Sequence, residues 1–171
     1  MDTKRFIVAW FVIAGLLHFG CATSPYLKGV TPDGKKVYLG PTPIENTKAF
    51  EAFLHSSRTE AAKLDYLVER LKLAENLQFF HGGEQFEWKE ALEAARWLVA
   101  HHHKKGQDAR TFIRKETFLY VEPGEPNAVK FPDGTIHLDY YVLANELDLL
   151  EETFKTFRNI SKSAGFAQQV K

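Results

Sequence analysis

The chain has 171 residues, of which 44% are hydrophobic and 13% aromatic, enough to build one modest folded domain rather than a disordered chain. It carries 22 Lys and Arg residues against 22 Asp and Glu residues, so its formal net charge is zero. Because no basic excess is present to neutralise phosphate groups, nucleic acid is excluded as the expected partner. The lone cysteine, Cys21, excludes an intrachain disulfide.

Residues 1–20 are typical of an export signal. Lys4 and Arg5 precede an unbroken apolar run from Phe6 to Leu17. As a helix, this run would span roughly 18 Å, which is well short of the ~30 Å hydrocarbon core of a membrane. The pattern therefore favours a cleaved export signal over a membrane-spanning helix.

The end of this run, Leu17-His18-Phe19-Gly20-Cys21, resembles the signal of bacterial lipoproteins, in which a small residue precedes the cysteine that becomes lipidated. The resemblance implies that acylation of Cys21 anchors the mature chain to a membrane, in the bacterial periplasm or at the outer membrane. His18 departs from the pattern, which prefers an apolar residue there. Cleavage after Ala22 is the alternative, and it would release a protein without a cysteine.

Residues 21–41 are rich in proline and glycine and are predicted to form a tether with a small hairpin. Within them, Thr31-Pro32-Asp33-Gly34 is a good turn sequence between two short extended runs. The domain that follows, residues 42–158, is predicted to begin with a helix at Thr42-Pro43-Ile44-Glu45. This segment combines an N-cap threonine, a proline at the first helical position and a capping box.

Apolar residues from Phe50 to Leu71 recur at spacings of four and three, which predicts helical structure to about Glu75. This pattern alone would also fit one continuous helix. However, Ser57-Arg58-Thr59-Glu60 is itself a capping box, so we expect two helices with a break near Ser57.

Two further hairpins are predicted, each from two short apolar runs around a glycine turn. The first places His81-Gly82-Gly83 between residues 77–80 and 85–86, and the second places Pro132-Asp133-Gly134 between residues 128–131 and 135–138.

Helices are predicted after each of these hairpins. One begins near Glu87, carries an apolar stripe from Trp88 to His102 and ends at Gly106. A shorter helix is capped by Asp108, and a C-terminal helix is capped by Asp139. Apolar periodicity stops near Ser161, so residues 159–171 are predicted to be a flexible tail. The sequence thus predicts an α+β domain in which three or four helices pack on short antiparallel β-hairpins.

Residues 79–147 carry seven short elements in register, namely Phe79, Gly83, Phe86, Glu90-Ala91, Phe112-Ile113, Gly124 with Pro126, and Asp133-Gly134. This pattern resembles that of the YfeK-like family of small exported bacterial proteins. His81-Gly82 and Ala94 depart from it, because the family has Arg-Asn and usually His there. The resemblance implies an exported protein with a compact mixed fold, and it brings no catalytic residue with it.

Three consecutive histidines, His101 to His103, suggest a metal site. Successive helical residues point about 100° apart, so one helix cannot direct all three imidazoles at one ion. We interpret His101 and His103 as polar groups at the negative end of the helix, and His102 as a core histidine. The alternative is a metal centre formed by His81, His102 and His137 with nearby acids.

Trp97 is the one large apolar residue on the polar side of its helix. We expect a second layer, such as the N-terminal helical segment, to cover it. The alternative is an exposed aromatic contact for a partner.

The sequence lacks a Gly-x-Ser-x-Gly elbow, an HExxH motif and a phosphate-binding glycine loop. We therefore expect no catalytic residues and no cofactor, and predict a lipid-anchored, non-enzymatic binding or scaffolding module that contacts an envelope protein. The alternative is an envelope metal-dependent hydrolase that uses His81, His102 and His137. Two of these histidines with an acid in one concave pocket would favour the hydrolase, whereas dispersed histidines and an exposed Trp97 would favour binding.

Overall fold

The computed structural model describes residues 26–119 and 126–169, with side chains of the last helix described as far as residue 161. The predicted export signal, Cys21 and the alternative cleavage site at Ala22 lie outside the described residues, as does Gly124. Within the described part of the chain, every helix is too short or too polar to cross a membrane.

The described residues form five strands, which are β1 Tyr26–Leu27, β2 Gln78–His81, β3 Glu84–Glu87, β4 Ala128–Lys130 and β5 Ile136–Leu138. They also form five α-helices, which are α1 Lys48–His55, α2 Glu60–Leu71, α3 Trp88–His102, α4 Ala109–Arg114 and α5 Asp139–Gln169. A π-helical turn, Lys115–Leu119, directly follows α4. The predicted α+β class is confirmed, with one helix more than expected. Helix α5 also continues past residue 158, where the domain was predicted to end.

The five strands form one sheet in the order β1-β5-β4-β2-β3. The two glycine-turn hairpins are confirmed, since β2 pairs with β3 and β4 pairs with β5, both antiparallel. Gly82 and Gly83 have φ values of 57° and 78°, and a two-residue hairpin turn needs such positive values because they match the twist of its strands. Strand β1, which was expected to belong to the N-terminal hairpin, instead pairs in parallel with β5 at the sheet edge.

The predicted N-terminal hairpin forms its turn but almost no ladder. The Gly34 N–H donates to the carbonyl oxygen of Thr31, yet the pairing beyond the turn is a single bridge between Val30 and Lys36. Asn145 of α5 accounts for the difference. Its Nδ2 donates to the carbonyl oxygens of Gly29 at 2.7 Å and Val37 at 3.1 Å, so a helix holds this segment in addition to the Val37 N–H bond to the Gly29 carbonyl oxygen.

The first helix begins later than predicted, at Lys48 rather than after Thr42. Thr47 is its N-cap, because Oγ1 of Thr47 accepts the N–H of Phe50 and donates to the carbonyl oxygen of Ile44. Ile44 is fully buried, so the turn that precedes the helix is itself part of the core. The predicted break is confirmed, since α1 ends at His55 and Thr59 caps α2.

Two hydrophobic clusters make up the core. One joins α1, α2, α4 and the middle of α5 around Phe50, Leu64 and Leu147. The other joins the sheet, α3 and the start of α5 around Phe79 and Val142. Helix α5 contributes to both clusters, so it connects the helical half of the domain to the sheet.

Candidate functional site

A cavity of about 530 Å³ lies between the sheet, α3, the π-helical turn and the first turns of α5. Strands β2 and β3 contribute Phe79, Phe80 and Phe86 to its walls, and α3 contributes Ala91, Ala94, Ala95 and Leu98. The volume falls within the range of small-molecule sites, about 300–1,000 Å³. The walls are mainly apolar, as is also usual for such sites.

Helix α3 shows why the cavity exists. Its apolar stripe predicted a core-facing helix, but Leu92 is its one fully buried residue. Ala91 and Ala95 stay partly exposed because they face the cavity. Their small side chains leave the space between the helix and the sheet unfilled, and a larger residue at these positions would close it.

The π-helical turn supplies another wall. It directly follows α4, whose predicted cap is confirmed because Asp108 Oδ1 accepts the Thr111 N–H at 2.8 Å. The turn brings Glu116 and Thr117 to the cavity. Single π-helical turns are frequent at functional sites, since they shift the side chains that follow by one position around the helix.

Most polar groups of the cavity already have protein partners. His81 Nδ1 lies 2.6 Å from Asn127 Oδ1; because this oxygen only accepts, the His81 Nδ1–H donates. Glu116 Oε2 lies 2.9 Å from His102 Nδ1, and Glu90 Oε2 accepts the Glu87 N–H at 2.8 Å. These bonds fix the side chains in place around the apolar space.

Asp139 is the exception. It is the first residue of α5 and lines the cavity, and its backbone N–H donates to the carbonyl oxygen of Asn127 at 3.0 Å. The residue as a whole is partly exposed, yet its Oδ1 atom is buried and has no hydrogen-bond partner among the described residues. Burial raises the pKa of this carboxyl to about 7. The predicted capping role is wrong, because Asp139 already belongs to the helix and its Oδ1 accepts no backbone N–H.

The structure separates the three histidines of the alternative metal centre. His81 lines the cavity, and His102 contacts the cavity residue Glu116 from outside it. His137 is fully buried in β5, where Nε2 lies 3.1 Å from Thr135 Oγ1 and burial lowers the pKa of the ring. Among the described residues, no three His, Cys, Asp or Glu side chains are grouped so that they could hold a metal.

The histidine run is mostly a helix end. His101 Nδ1 lies 2.8 Å from the carbonyl oxygen of Trp97, and His103 Nε2 lies 3.0 Å from that of Gln107. The prediction of polar groups at the helix C-terminus is confirmed for His101. The prediction that His102 belongs to the core is wrong, because its side chain is 40% exposed where α3 ends.

Trp97 is 53% exposed, so the predicted cover over it is absent among the described residues. Helix α2 does contact α3, and Leu98 and Val99 of α3 pack against the helical core, but these contacts leave Trp97 uncovered. The indole stacks on His101 with ring centroids 4.8 Å apart and also borders the cavity. An exposed aromatic ring therefore stands beside the opening of an apolar space, and a role as a partner contact stays a prediction.

Comparison with models of known protein families, with curated proteins and with solved structures gives no match for this chain.

Proposed function

We propose that this protein binds a small, mainly apolar ligand in the cavity beside α3, as a non-enzymatic binding module of the bacterial cell envelope. The observation that carries the proposal is the cavity itself, with a volume of about 530 Å³. Its walls combine aromatic rings with alanine, leucine and valine side chains, and a few fixed polar groups converge on it. This combination is typical of ligand sites rather than of packing defects.

The arrangement of the histidines favours binding over metal-dependent hydrolysis. Of the three candidate ligands, His81 alone lines the cavity. His102 is engaged with Glu116, and His137 is buried in the sheet against Phe131. Exposed Trp97 at the cavity edge adds an aromatic surface that a ligand, or the envelope protein that delivers it, would contact.

The cellular location in this proposal rests on sequence. Residues 1–20 have the pattern of an export signal that ends at Cys21, and lipidation there would tether the domain to a membrane of the periplasm or the outer membrane. Kinship with the YfeK-like exported proteins is part of the same proposal, supported by their shared spacing from Phe79 to Gly134.

The neutral fluorescent probe N-phenyl-1-naphthylamine tests ligand binding, since its emission rises in an apolar site. Ala94→Phe fills the cavity from α3, while Ala100→Phe makes the same change on the same helix at an exposed position outside the cavity. We expect saturable binding at one site by the wild type and by Ala100→Phe. Ala94→Phe should bind at least about tenfold more weakly, equivalent to about 1.4 kcal/mol.

Two results would contradict the proposal. One is the absence of saturable probe binding by the folded wild-type chain. The other is equal affinity in wild type and Ala94→Phe, which would place any bound probe outside the cavity. Circular dichroism spectra of both variants establish that each remains folded.

A further inference from the structure

Building on the ligand-binding function proposed above, we infer that the ligand carries a cationic amine, and that this amine pairs with the carboxyl group of Asp139 inside the cavity. The ligand class is thus an apolar body with one protonated nitrogen.

The first support is that Asp139 is the cavity's unpartnered polar group. Its Oδ1 is shielded from solvent and accepts no hydrogen bond from any described residue. Buried polar atoms in folded proteins nearly always have a partner, because an unpaired one keeps the full cost of leaving water. A cationic N–H donor that reaches this carboxyl group from the cavity would supply the charge and the hydrogen bond that no described residue provides.

The second support is the charge of the lining. Three carboxyl groups border the cavity, those of Glu90, Glu116 and Asp139, whereas its described lining contains no Lys or Arg. Glu116 forms an ion pair with Lys115 and contacts His102, and Glu90 accepts a backbone N–H. Among the described residues, Asp139 has neither kind of partner, so a cation that enters the cavity would meet an acidic group that no described residue offsets.

The same charges argue against an anionic ligand such as a fatty acid. The N-terminus of α5 would attract an anion, but that attraction acts only within the first turn. Asp139 already places a carboxyl group in that turn. A second carboxylate would bring like charges together in a mainly apolar space, where their repulsion is weakly screened.

A neutral alcohol is a weaker match than an amine. Burial raises the pKa of Asp139 to about 7, since the ionised form lacks a compensating charge. A protonated amine supplies both that charge and N–H donors, and such charge-assisted bonds are roughly twice as strong as neutral ones. Amine binding therefore favours loss of the Asp139 proton.

A matched series separates these ligand classes, namely 1-adamantylamine, 1-adamantanol and 1-adamantanecarboxylate, which share one compact apolar body. Isothermal titration calorimetry of the full chain gives each affinity. We expect the amine to bind about ten- to hundredfold more tightly than the alcohol, as one charge-assisted hydrogen bond would provide. The carboxylate should bind most weakly.

Asp139→Asn should remove the preference for the amine and leave the affinity for the alcohol within about twofold. Glu152→Gln is the matched control, because it removes one negative charge from an exposed position of the same helix. It should retain the wild-type preference.

The pH dependence provides a second readout. Amine affinity of the wild type should rise from about pH 6 to about pH 8 as Asp139 ionises, while an alkylamine keeps its proton over this range. The other titratable groups of the cavity's described lining are His81, Glu90 and Glu116. Asp139→Asn retains all three, so a rise that persists in this variant would belong to them and would overturn the assignment to Asp139.

The remaining outcomes distinguish this inference from the proposed function. Equal binding of all three compounds, or tightest binding of the carboxylate, would overturn the amine preference and leave ligand binding intact. If none of the three binds and N-phenyl-1-naphthylamine does not bind either, both the function and the inference fail. An amine preference that survives in Asp139→Asn contradicts the inference alone.

Discussion

Two carboxyl groups of α5 show how differently the fold treats a buried acid. Glu146 is fully buried and accepts hydrogen bonds from Arg70, from the hydroxyl of Tyr66 and from the backbone N–H of Leu39. These bonds and the Arg70 charge offset the cost of removing the carboxylate from water. The buried Oδ1 of Asp139 has no such partner among the residues that the structure describes. The first acid therefore links the N-terminal segment to the core, whereas the second is the acid that the proposed ligand would pair with.

The unpaired acid predicts a pH-dependent gain in stability for Asp139→Asn in the absence of ligand. The carboxyl keeps its proton to about pH 7 when folded, but only to its ordinary pKa of 3.8 when unfolded. Between these values the folded chain binds the extra proton, so wild-type stability falls as pH rises and then levels off above about pH 7. The asparagine variant lacks this loss.

We expect the free energy of unfolding of Asp139→Asn, minus that of the wild type, to be about 2 kcal/mol larger at pH 8 than at pH 4. The full pKa difference would give about 4 kcal/mol, and the partial exposure of the residue reduces it. Urea unfolding at several pH values measures the difference. His81, Glu90 and Glu116 are common to both proteins, so their titration largely cancels. A stability difference independent of pH would contradict the assignment.

At the scale of elements, the features predicted correctly are those fixed by neighbouring residues. The break between α1 and α2 was predicted from a local capping signal that starts at Ser57, and the structure has the break there with Thr59 as the N-cap. The hairpin of β2 and β3 follows from Gly82 and Gly83, since two adjacent residues that tolerate positive φ favour a two-residue turn. Local chemistry was sufficient for both.

The features predicted wrongly are those decided by distant residues. Strand β1 joins β5, whose residue Ile136 lies 110 positions from its partner Tyr26. The start of α1 moves to Lys48 because Ile44 is drawn into the core, and no local pattern indicates that burial. The apolar face of α3 borders a cavity. Sequence periodicity cannot distinguish such a face from one that packs against other side chains.

The candidate site was beyond prediction for the same reason. His81, Glu116, Asn127 and Asp139 come from four separate segments and share no spacing motif. An aspartate before an apolar helical stripe has the usual pattern of an N-cap, so nothing in the sequence marks Asp139 as unpaired. The run His101 to His103 is conspicuous in the sequence, but these residues form the C-terminal end of α3 and do not line the cavity.

The attachment of the N-terminal segment to α5 predicts a large difference between two glycines. Gly29 has φ of +70°, and a Cβ added there would lie 2.9 Å from both Asn145 Nδ2 and Tyr141 Cβ. Gly34 has φ of +84°, but an added Cβ would meet nothing within 4 Å. Both alanine variants incur the backbone cost of about 1–2 kcal/mol.

Gly29→Ala should therefore lose about 1–3 kcal/mol more stability than Gly34→Ala, because the added methyl group also overpacks against α5. Urea unfolding of both variants provides the comparison, with Gly34→Ala as the control for the backbone term. Equal losses would mean that residues 26–39 do not dock on α5 as described.

At the scale of the whole molecule, helix α5 links the cavity to the rest of the domain. Val142, near its start, belongs to the sheet core, while Leu147 and Leu150 belong to the helical core. A ligand held by Asp139 would therefore stabilise the element on which both cores depend. At a concentration of 100 times its Kd, it would add about 2.7 kcal/mol to the free energy of unfolding.

Because β1 lies close to Cys21 in the chain, the proposed membrane anchor would limit how far the whole domain can lie from the membrane. Tyr26 pairs with Ile136 at the sheet edge, and the five residue steps from Cys21 to Tyr26 can span at most about 18 Å. A lipidated Cys21 would therefore hold the sheet close to the membrane surface. Hydrophobic ligands concentrate in that region, so a short tether would suit a domain that binds one.

The anchor predicts that the wild-type chain sediments with membranes and that Cys21→Ala does not. Since each buried methylene adds about 0.8 kcal/mol to membrane binding, acyl chains should resist a high-salt wash that releases proteins held by charge alone. Fractionation before and after the wash, with mass spectrometry of the mature N-terminus, measures this. A wild-type chain that begins at unmodified Thr23 would contradict lipidation. Such a chain would be a freely diffusing binding protein, because cleavage after Ala22 removes Cys21, the residue that the proposed anchor needs.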